Sequence, residues 1–65
     1  MNIGKSVKIL LAQQEMNQTE LAVKVGVSRA VMSYVCNHPS CSPGMMVKLC
    51  EVFDLKASEL IALGE

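Results

Sequence analysis

The sequence predicts an all-α fold, and three observations support this prediction. Hydrophobic residues fill 51% of the 65 positions, yet only one Phe and one Tyr are present, so aliphatic side chains and Met must form the core. These apolar residues recur at helical spacings. N-cap residues, glycines and prolines separate the helical stretches. Because so short a chain supports only one small core, we expect a single domain over residues 1–65.

Two predicted helices lie before Gly26. The first extends from about Ile3 to Gln14. Its inward residues, three and four positions apart, are Ile3, Val7, Leu10, Leu11 and Gln14. Asn17 is a favourable N-cap, so the second helix should begin at Gln18 and end at Gly26. Its inward residues are Leu21, Ala22 and Val25.

A third helix and a loop are predicted directly after Gly26. Ser28 is the next N-cap, and the third helix should extend from Arg29 to about Cys36. Its inward residues are Val31, Met32 and Val35. Residues 37–41 should form a loop, because Pro39 lacks an amide hydrogen and disfavours helical backbone at the preceding residue.

The last two helices have clear start or stop signals. Ser42 and Pro43 suit the N-cap and the first position of a fourth helix. Its inward residues are Met46, Leu49, Cys50 and Phe53. A fifth helix is predicted from about Ala57 to Leu63, with Leu60 and Leu63 inward and Gly64 as its end.

The join between the second and third helices predicts a specific motif. Only about three residues separate the two helices, so the chain must turn sharply at Gly26, where a left-handed backbone is cheapest for glycine. Ala22, one turn earlier, is small enough to let the helices cross closely. Residues 18–37 therefore have the spacing of a helix-turn-helix.

Two segments of this motif resemble a known family. Asn17 to Ala22 reads NQTELA, and Val25 to Arg29 reads VGVSR. With the five helices, they resemble the Cro and lambda-repressor type of helix-turn-helix DNA-binding domain over about residues 3–63. The resemblance implies a five-helix, all-α, lambda-repressor-like domain. It also implies that the third helix enters the major groove of DNA, usually in a dimer on a palindromic operator.

The resemblance also implies which residues contact DNA. The positions that match those facing the groove are Ser28, Arg29, Ala30, Ser33 and Tyr34. Gln18 matches a glutamine that contacts the DNA backbone, and Asn37 matches a residue that contacts phosphate. We add Asn17 as a backbone contact, because the amides at the start of the second helix suit a phosphate, and His38, which we interpret as a loop residue near phosphates.

Arg29 is the strongest candidate for reading a base on chemical grounds alone. Its guanidinium can donate two hydrogen bonds to guanine, a contact worth about 1–3 kcal/mol against a wrong base. Ala30 can touch a thymine methyl group, and Ser28 can cap the helix and still reach a phosphate or a base edge. The alternative for Tyr34 is that it packs on the domain's own surface.

A second apolar stripe accompanies the predicted core face of the fourth helix and continues into the fifth. Its residues are Met45, Leu49, Val52, Leu55 and Ile61. A monomer this small should not expose so much apolar surface, so we expect these residues to form a homodimer interface. The alternative is that they only enlarge the core.

The formal net charge is zero, but the charges are unevenly distributed. Residues 1–41 contain four cations and two anions, and residues 42–65 contain two cations and four anions. This balance predicts a modest nonspecific affinity for DNA and a shallow salt dependence. Lys5, Lys8 and Lys24 are interpreted as ordinary solvated charges; the alternative is that any of them lying near the DNA backbone adds to the salt-dependent affinity.

No catalytic or metal site is predicted. A single loop histidine offers no Ser-His-Asp or Cys-His arrangement. The set Cys36, His38, Cys41 and Cys50 matches no common zinc spacing, so two of its cysteines are assigned to the core and no metal, cofactor or enzyme activity is expected. The odd number of cysteines, the lack of a signal-peptide pattern and the lack of a long apolar run predict a cytoplasmic protein with no membrane partner.

The preferred hypothesis is a Cro-like transcriptional repressor of phage or prophage type. It would bind a palindromic operator in double-stranded DNA as a homodimer, with no small-molecule effector. One alternative is an antitoxin or restriction-control regulator built on the same domain. The other is a protein-interaction module that has lost DNA binding, which the zero net charge and the second apolar stripe favour.

Overall fold

Five helices and no strand form the protein, in a computed structural model that describes residues 1–65. The helices are α1 (Ile3–Gln13), α2 (Gln18–Val25), α3 (Arg29–Cys36), α4 (Pro43–Phe53) and α5 (Ala57–Leu63). The predicted all-α class and the order of its elements are confirmed. The predicted bounds differ only at the end of α1, which stops one residue earlier.

Side-chain oxygens fix the starts of the first four helices. In each, the N-cap residue accepts a hydrogen bond from the amide three residues later, at 2.8–3.2 Å; the caps are Asn2, Asn17, Ser28 and Ser42. At α5 the helix residue supplies the side chain and the N-cap residue supplies the amide: Glu59 Oε1 accepts from the Lys56 amide at 3.0 Å. The sequence predicted three of these caps, and all three are confirmed.

A single core of 12 buried hydrophobic residues holds the helices together. The helix α1 packs against both α3 and α5, and α2 packs against α3 and α4. One polar side chain is enclosed with these residues: the Ser6 hydroxyl donates to the Leu60 carbonyl oxygen at 2.6 Å and so links α1 to α5. The core therefore holds α2 and α3 as a pair on one side of the molecule.

The turn between α2 and α3 has the predicted geometry. Gly26 adopts a left-handed backbone, with φ 87° and ψ 33°. Its amide and that of Val27 both donate to the Ala22 carbonyl oxygen, at 2.8 and 3.0 Å. These two bonds close the end of α2 and set the direction in which α3 leaves.

Some predicted inward residues are not buried. Gln14 is exposed because α1 ends before it, and Val31 is 43% exposed because α3 turns its neighbours toward the core instead. Four others are only half-buried: Met46, Cys50, Phe53 and Leu63. Gly64 ends α5 without a left-handed backbone, since its φ is −92°.

The placement of Leu49 in a dimer interface is wrong. The side chain is 0% exposed and belongs to the core. It cannot touch a partner while the chain's own helices enclose it. Leu49 was assigned to two overlapping stripes of α4, and only the core assignment is correct.

Candidate nucleic-acid interface

An open depression lies between the start of α2 and the first half of α3. Its lining residues are Asn17, Gln18, Thr19, Arg29, Ala30 and Ser33. We call it the α2–α3 depression. It brings together five of the residues predicted to contact DNA, although they come from two separate parts of the chain. Thr19 was not predicted, and its position in the first turn of α2 was the available signal.

The α2–α3 depression is suited to an anion. The amides of Gln18 and Thr19 have no partner within α2, because the first amides of a helix lie beyond the reach of its carbonyls. The positive end of the helix dipole adds to their effect. Arg29 is the one charged residue of the lining, and no carboxylate is present.

Ser28 and Arg29 mark the start of α3. The Ser28 hydroxyl oxygen accepts from the Val31 amide at 3.2 Å, which confirms its N-cap role. A hydroxyl carries its own hydrogen as well, so Ser28 can still donate to a ligand. Arg29 is the first residue of α3 and is exposed. Its side chain is therefore free to extend from the helix start.

The other end of α3 is capped by side chains. Asn37 Nδ2 donates to the Ser33 carbonyl oxygen at 2.8 Å, and His38 Nδ1 lies 2.7 Å from the Tyr34 carbonyl oxygen. Since a carbonyl only accepts, His38 Nδ1 must carry the hydrogen. The His38 ring also stacks on Tyr34, with ring centroids 3.7 Å apart. Tyr34 is 59% exposed and rests on this ring rather than in the core.

A second depression lies at this capped end of α3. Its lining residues are Asn2, Lys5, Lys8, Cys36, Asn37, His38 and Pro39. We call it the α1–α3 cleft. It places Asn37 and His38, both predicted backbone contacts, beside Lys5 and Lys8, which the sequence analysis interpreted as solvated charges. Tyr34 and Ser28 line neither depression; Tyr34 lies on α3, the helix that joins them, and Ser28 caps the start of that helix.

A comparison with protein families identifies the family of this chain. A family model described as a Cro/C1-type helix-turn-helix DNA-binding domain matches residues 6–64. The chain belongs to this family. It is therefore a DNA-binding regulator whose helix-turn-helix is α2–α3. No curated protein and no solved structure gives a significant match.

The cysteines of this Cro/C1-type domain are free thiols. Burial raises the pKa of the Cys36 thiol, and the nearby Lys8 ammonium opposes this effect. Burial also raises the pKa of Cys41, and Cys50 adds to it. Thiols with raised pKa values stay protonated near neutral pH and are poor nucleophiles and metal ligands. No cluster of three or more His, Cys, Asp or Glu residues is arranged to hold a metal ion.

The predicted dimer residues other than Leu49 are half-buried. They are Met45, Val52, Leu55 and Ile61, and each packs against the core. The buried part of each side chain therefore enlarges the core, as the alternative predicted, and the exposed part stays available for a partner. Leu55 also lines an open, mostly apolar groove with residues that were not predicted for the dimer interface, namely Leu10, Gln13, Glu59, Ala62 and Leu63. We call it the α1–α5 groove.

None of the five helices combines the length and the apolar character needed to span a membrane.

Proposed function

We propose that the protein is a sequence-specific transcriptional repressor that binds a palindromic operator as a homodimer. The observation that carries this proposal is the α2–α3 depression, in which the start of α2 and the start of α3 line one surface. Such a surface can bind a phosphate next to a side chain that contacts a base. The phosphate contact fixes the register of the protein on DNA, and the base contact reads the sequence.

In this proposal the two helices have different tasks. A phosphate lies against the amides at the start of α2, with Asn17 and Gln18 beside it. The helix α3 lies in the major groove, where Arg29 donates two hydrogen bonds to a guanine. The residues that meet neighbouring base edges are Ser28, Ala30, Ser33 and Tyr34. Asn37 and His38 lie near the backbone at the end of α3.

Dimerisation would set the shape of the operator. Two copies of α3 would enter successive major grooves about 34 Å apart, which requires two half-sites in a palindrome. The exposed parts of Met45, Val52, Leu55 and Ile61 would form the dimer contact. We propose that the protein is a repressor of phage or prophage type. The dimer, bound at a promoter, would block the access of polymerase to that promoter.

Selection of binding sites from random duplex DNA tests this proposal. We expect the wild-type protein to recover a palindrome. Arg29→Ala should lose a guanine preference at one position in each half-site, a loss of about 1–3 kcal/mol of discrimination. Arg29→Lys is the matched control for charge, because lysine keeps the charge but lacks the rigid planar fork of the guanidinium. It should restore affinity relative to Arg29→Ala and restore only part of the guanine preference.

The same selection contains the result that would overturn the proposal. If the wild-type protein enriches no sequence at moderate salt, it is not a sequence-specific repressor. If Arg29→Ala leaves the preferred sequence unchanged, Arg29 does not read a base. Gln18→Ala should weaken binding to all sequences alike, because phosphate contacts carry no sequence information.

A protein-interaction module is the second candidate function. Two observations favour it: a formal net charge of zero and the open α1–α5 groove, lined mainly by apolar residues. Heparin retention separates the candidates. A DNA-binding protein should be retained and released by salt, and an interaction module should flow through.

A further inference from the structure

We propose that the α1–α3 cleft binds a second DNA phosphate, and that Lys5 and Lys8 of α1 are its donors. This phosphate belongs to the strand opposite the one held at the start of α2. The inference rests on the proposed function, because it requires α3 to lie in the major groove. It extends the DNA-contacting surface to α1, which lies outside the helix-turn-helix.

The charges that line the α1–α3 cleft suit a phosphate. Lys5 and Lys8 are three residues apart on α1, so their side chains share one face of the helix. No carboxylate lines the cleft. Two ammonium groups with no acidic neighbour in the cleft form a cationic surface at the end of α3.

The backbone donors near this cleft are already occupied. The Ile3 amide donates to the Pro39 carbonyl oxygen at 2.8 Å, and the Gly4 amide donates to the His38 carbonyl oxygen at 2.9 Å. The Lys5 amide donates to Asn2 Oδ1 at 3.1 Å. The start of α1 is therefore not an anion site of the kind found at the start of α2.

The polar side chains of the loop are largely occupied as well. Asn37 Nδ2 donates to Ser33, and His38 Nδ1 donates to Tyr34, so both side chains cap α3. One hydrogen of the Asn37 amide remains free to donate. The main donors left for an anion in this cleft are the ammonium groups of Lys5 and Lys8.

The position of the cleft points to the opposite DNA strand. The α2–α3 depression contains Arg29, the first residue of α3, and the α1–α3 cleft contains Asn37, eight residues later. Eight residues of helix span about 12 Å. The major groove of DNA is also about 12 Å wide. Since α3 is about as long as the groove is wide, the depressions at its two ends can reach phosphates of different strands.

The cleft is held in shape by close contact between α1 and the loop. A Cβ built on Gly4 would lie 2.6 Å from the carbonyl oxygens of both Cys36 and His38. Only glycine allows the start of α1 to approach the end of α3 this closely. The α1 backbone that carries Lys5 and Lys8 is thus fixed relative to α3 before DNA binds.

Salt dependence of DNA binding tests the proposal. The variants are Lys5→Gln and Lys8→Gln, and the matched control is Lys24→Gln, which removes the same charge from a residue that lines none of the three depressions. The probe is the operator selected by the wild-type protein. The double variant Lys5→Gln, Lys8→Gln should reduce the slope of log affinity against log salt by about 1 for each subunit, because one phosphate contact is lost, and each single cleft variant should reduce it by less. The control should keep a slope close to that of the wild type.

Neutral methylphosphonates placed singly along each operator strand locate the contact. The wild-type protein should lose affinity at positions on both strands. The double variant Lys5→Gln, Lys8→Gln should become insensitive at one set of positions only, on the strand opposite the α2 contact. Circular dichroism and thermal unfolding should show that all variants fold, since these lysines are exposed.

The possible failures are distinguishable. If the wild-type protein selects an operator but the cleft variants behave like Lys24→Gln, the cleft does not bind a phosphate and the proposed function stands. The same conclusion follows if the positions made insensitive lie on the strand contacted by α2. If the wild-type protein selects no sequence, the proposed function fails, and this inference fails with it.

Discussion

Ser28 and Asn37 each use part of their hydrogen-bonding capacity to cap α3 and keep part of it for a ligand. The Ser28 oxygen accepts from Val31 and its hydrogen stays free. One amide hydrogen of Asn37 is bound to Ser33 and the other stays free. A cap fixes the side chain before DNA arrives, so less rotamer entropy is lost on binding. Substitutions at these residues should therefore affect both the stability of α3 and the affinity for DNA.

Ser6 gives a prediction at the residue scale. Its buried hydroxyl donates to the Leu60 carbonyl, which lies in the last turn of α5 and lacks a helical partner there. Ser6→Ala should lower the free energy of unfolding by about 1–3 kcal/mol, because it leaves this carbonyl unsatisfied. Urea denaturation measures the change.

Ser40→Ala is the control for the Ser6 substitution. Ser40 is exposed in the loop before α4, so its replacement should change the free energy of unfolding by less than about 0.5 kcal/mol. Equal effects of the two substitutions would show that the bond between α1 and α5 does not stabilise the fold.

At the scale of the helices, the sequence predicted most of the boundaries because caps and breakers act locally. Asn17, Ser28 and Ser42 each bond to an amide only three residues away, so their role follows from the adjacent sequence. The end of α2 at Gly26 is also local. By contrast, the left-handed backbone of Asp54 at the end of α4 was not predicted, because no glycine marks it.

The sequence could not predict features that depend on contacts between helices. Leu49 fitted two stripes of α4, and only the position of the neighbouring helices shows which stripe is buried. The clustering of Gln18 with Arg29 followed from the family resemblance, and the structure places them in one depression. The α1–α3 cleft had no sequence signal, since Lys5 and Lys8 are far along the chain from Asn37.

The turn between α2 and α3 gives a prediction at the element scale. A Cβ built on Gly26 meets nothing within 4 Å, so the whole cost of Gly26→Ala comes from the left-handed backbone. This substitution should lower the free energy of unfolding by about 1–2 kcal/mol. Gly44→Ala is the matched control, because Gly44 also lies in open space but has no positive φ and lies within α4.

Gly44→Ala should raise the free energy of unfolding by up to about 1 kcal/mol, since alanine favours a helix over glycine. Chemical denaturation of both variants gives the comparison. The explanation fails if the two alanine substitutions shift stability in the same direction.

At the scale of the whole molecule, the distribution of charge matters more than its sum. The three cations that line depressions at the ends of α3 are Lys5, Lys8 and Arg29. Most acidic residues of the second half of the chain lie on α4, α5 or the turn between them: Glu51, Asp54 and Glu59. In the field of DNA, the three cations favour an orientation with α3 toward the phosphates.

One of these acidic residues, Glu59, lines the α1–α5 groove together with Leu55. Because Leu55 is half-buried and the groove is mainly apolar, Leu55→Glu should place a charge in the proposed dimer contact. We expect this variant to sediment as a monomer at concentrations where the wild-type protein is a dimer. It should bind the full palindrome more weakly and keep the preferred half-site sequence, since α3 is unchanged.

Val23→Glu is the matched control for Leu55→Glu. Val23 is the most exposed of the large hydrophobic residues, at 77%, and lines none of the three depressions. This variant should remain dimeric, which separates the effect of the added charge from the effect of its position. Circular dichroism must show that Leu55→Glu is folded. A folded Leu55→Glu variant that sediments as a dimer would place the contact elsewhere, and the exposed Val47 on α4 would then be the next residue to substitute.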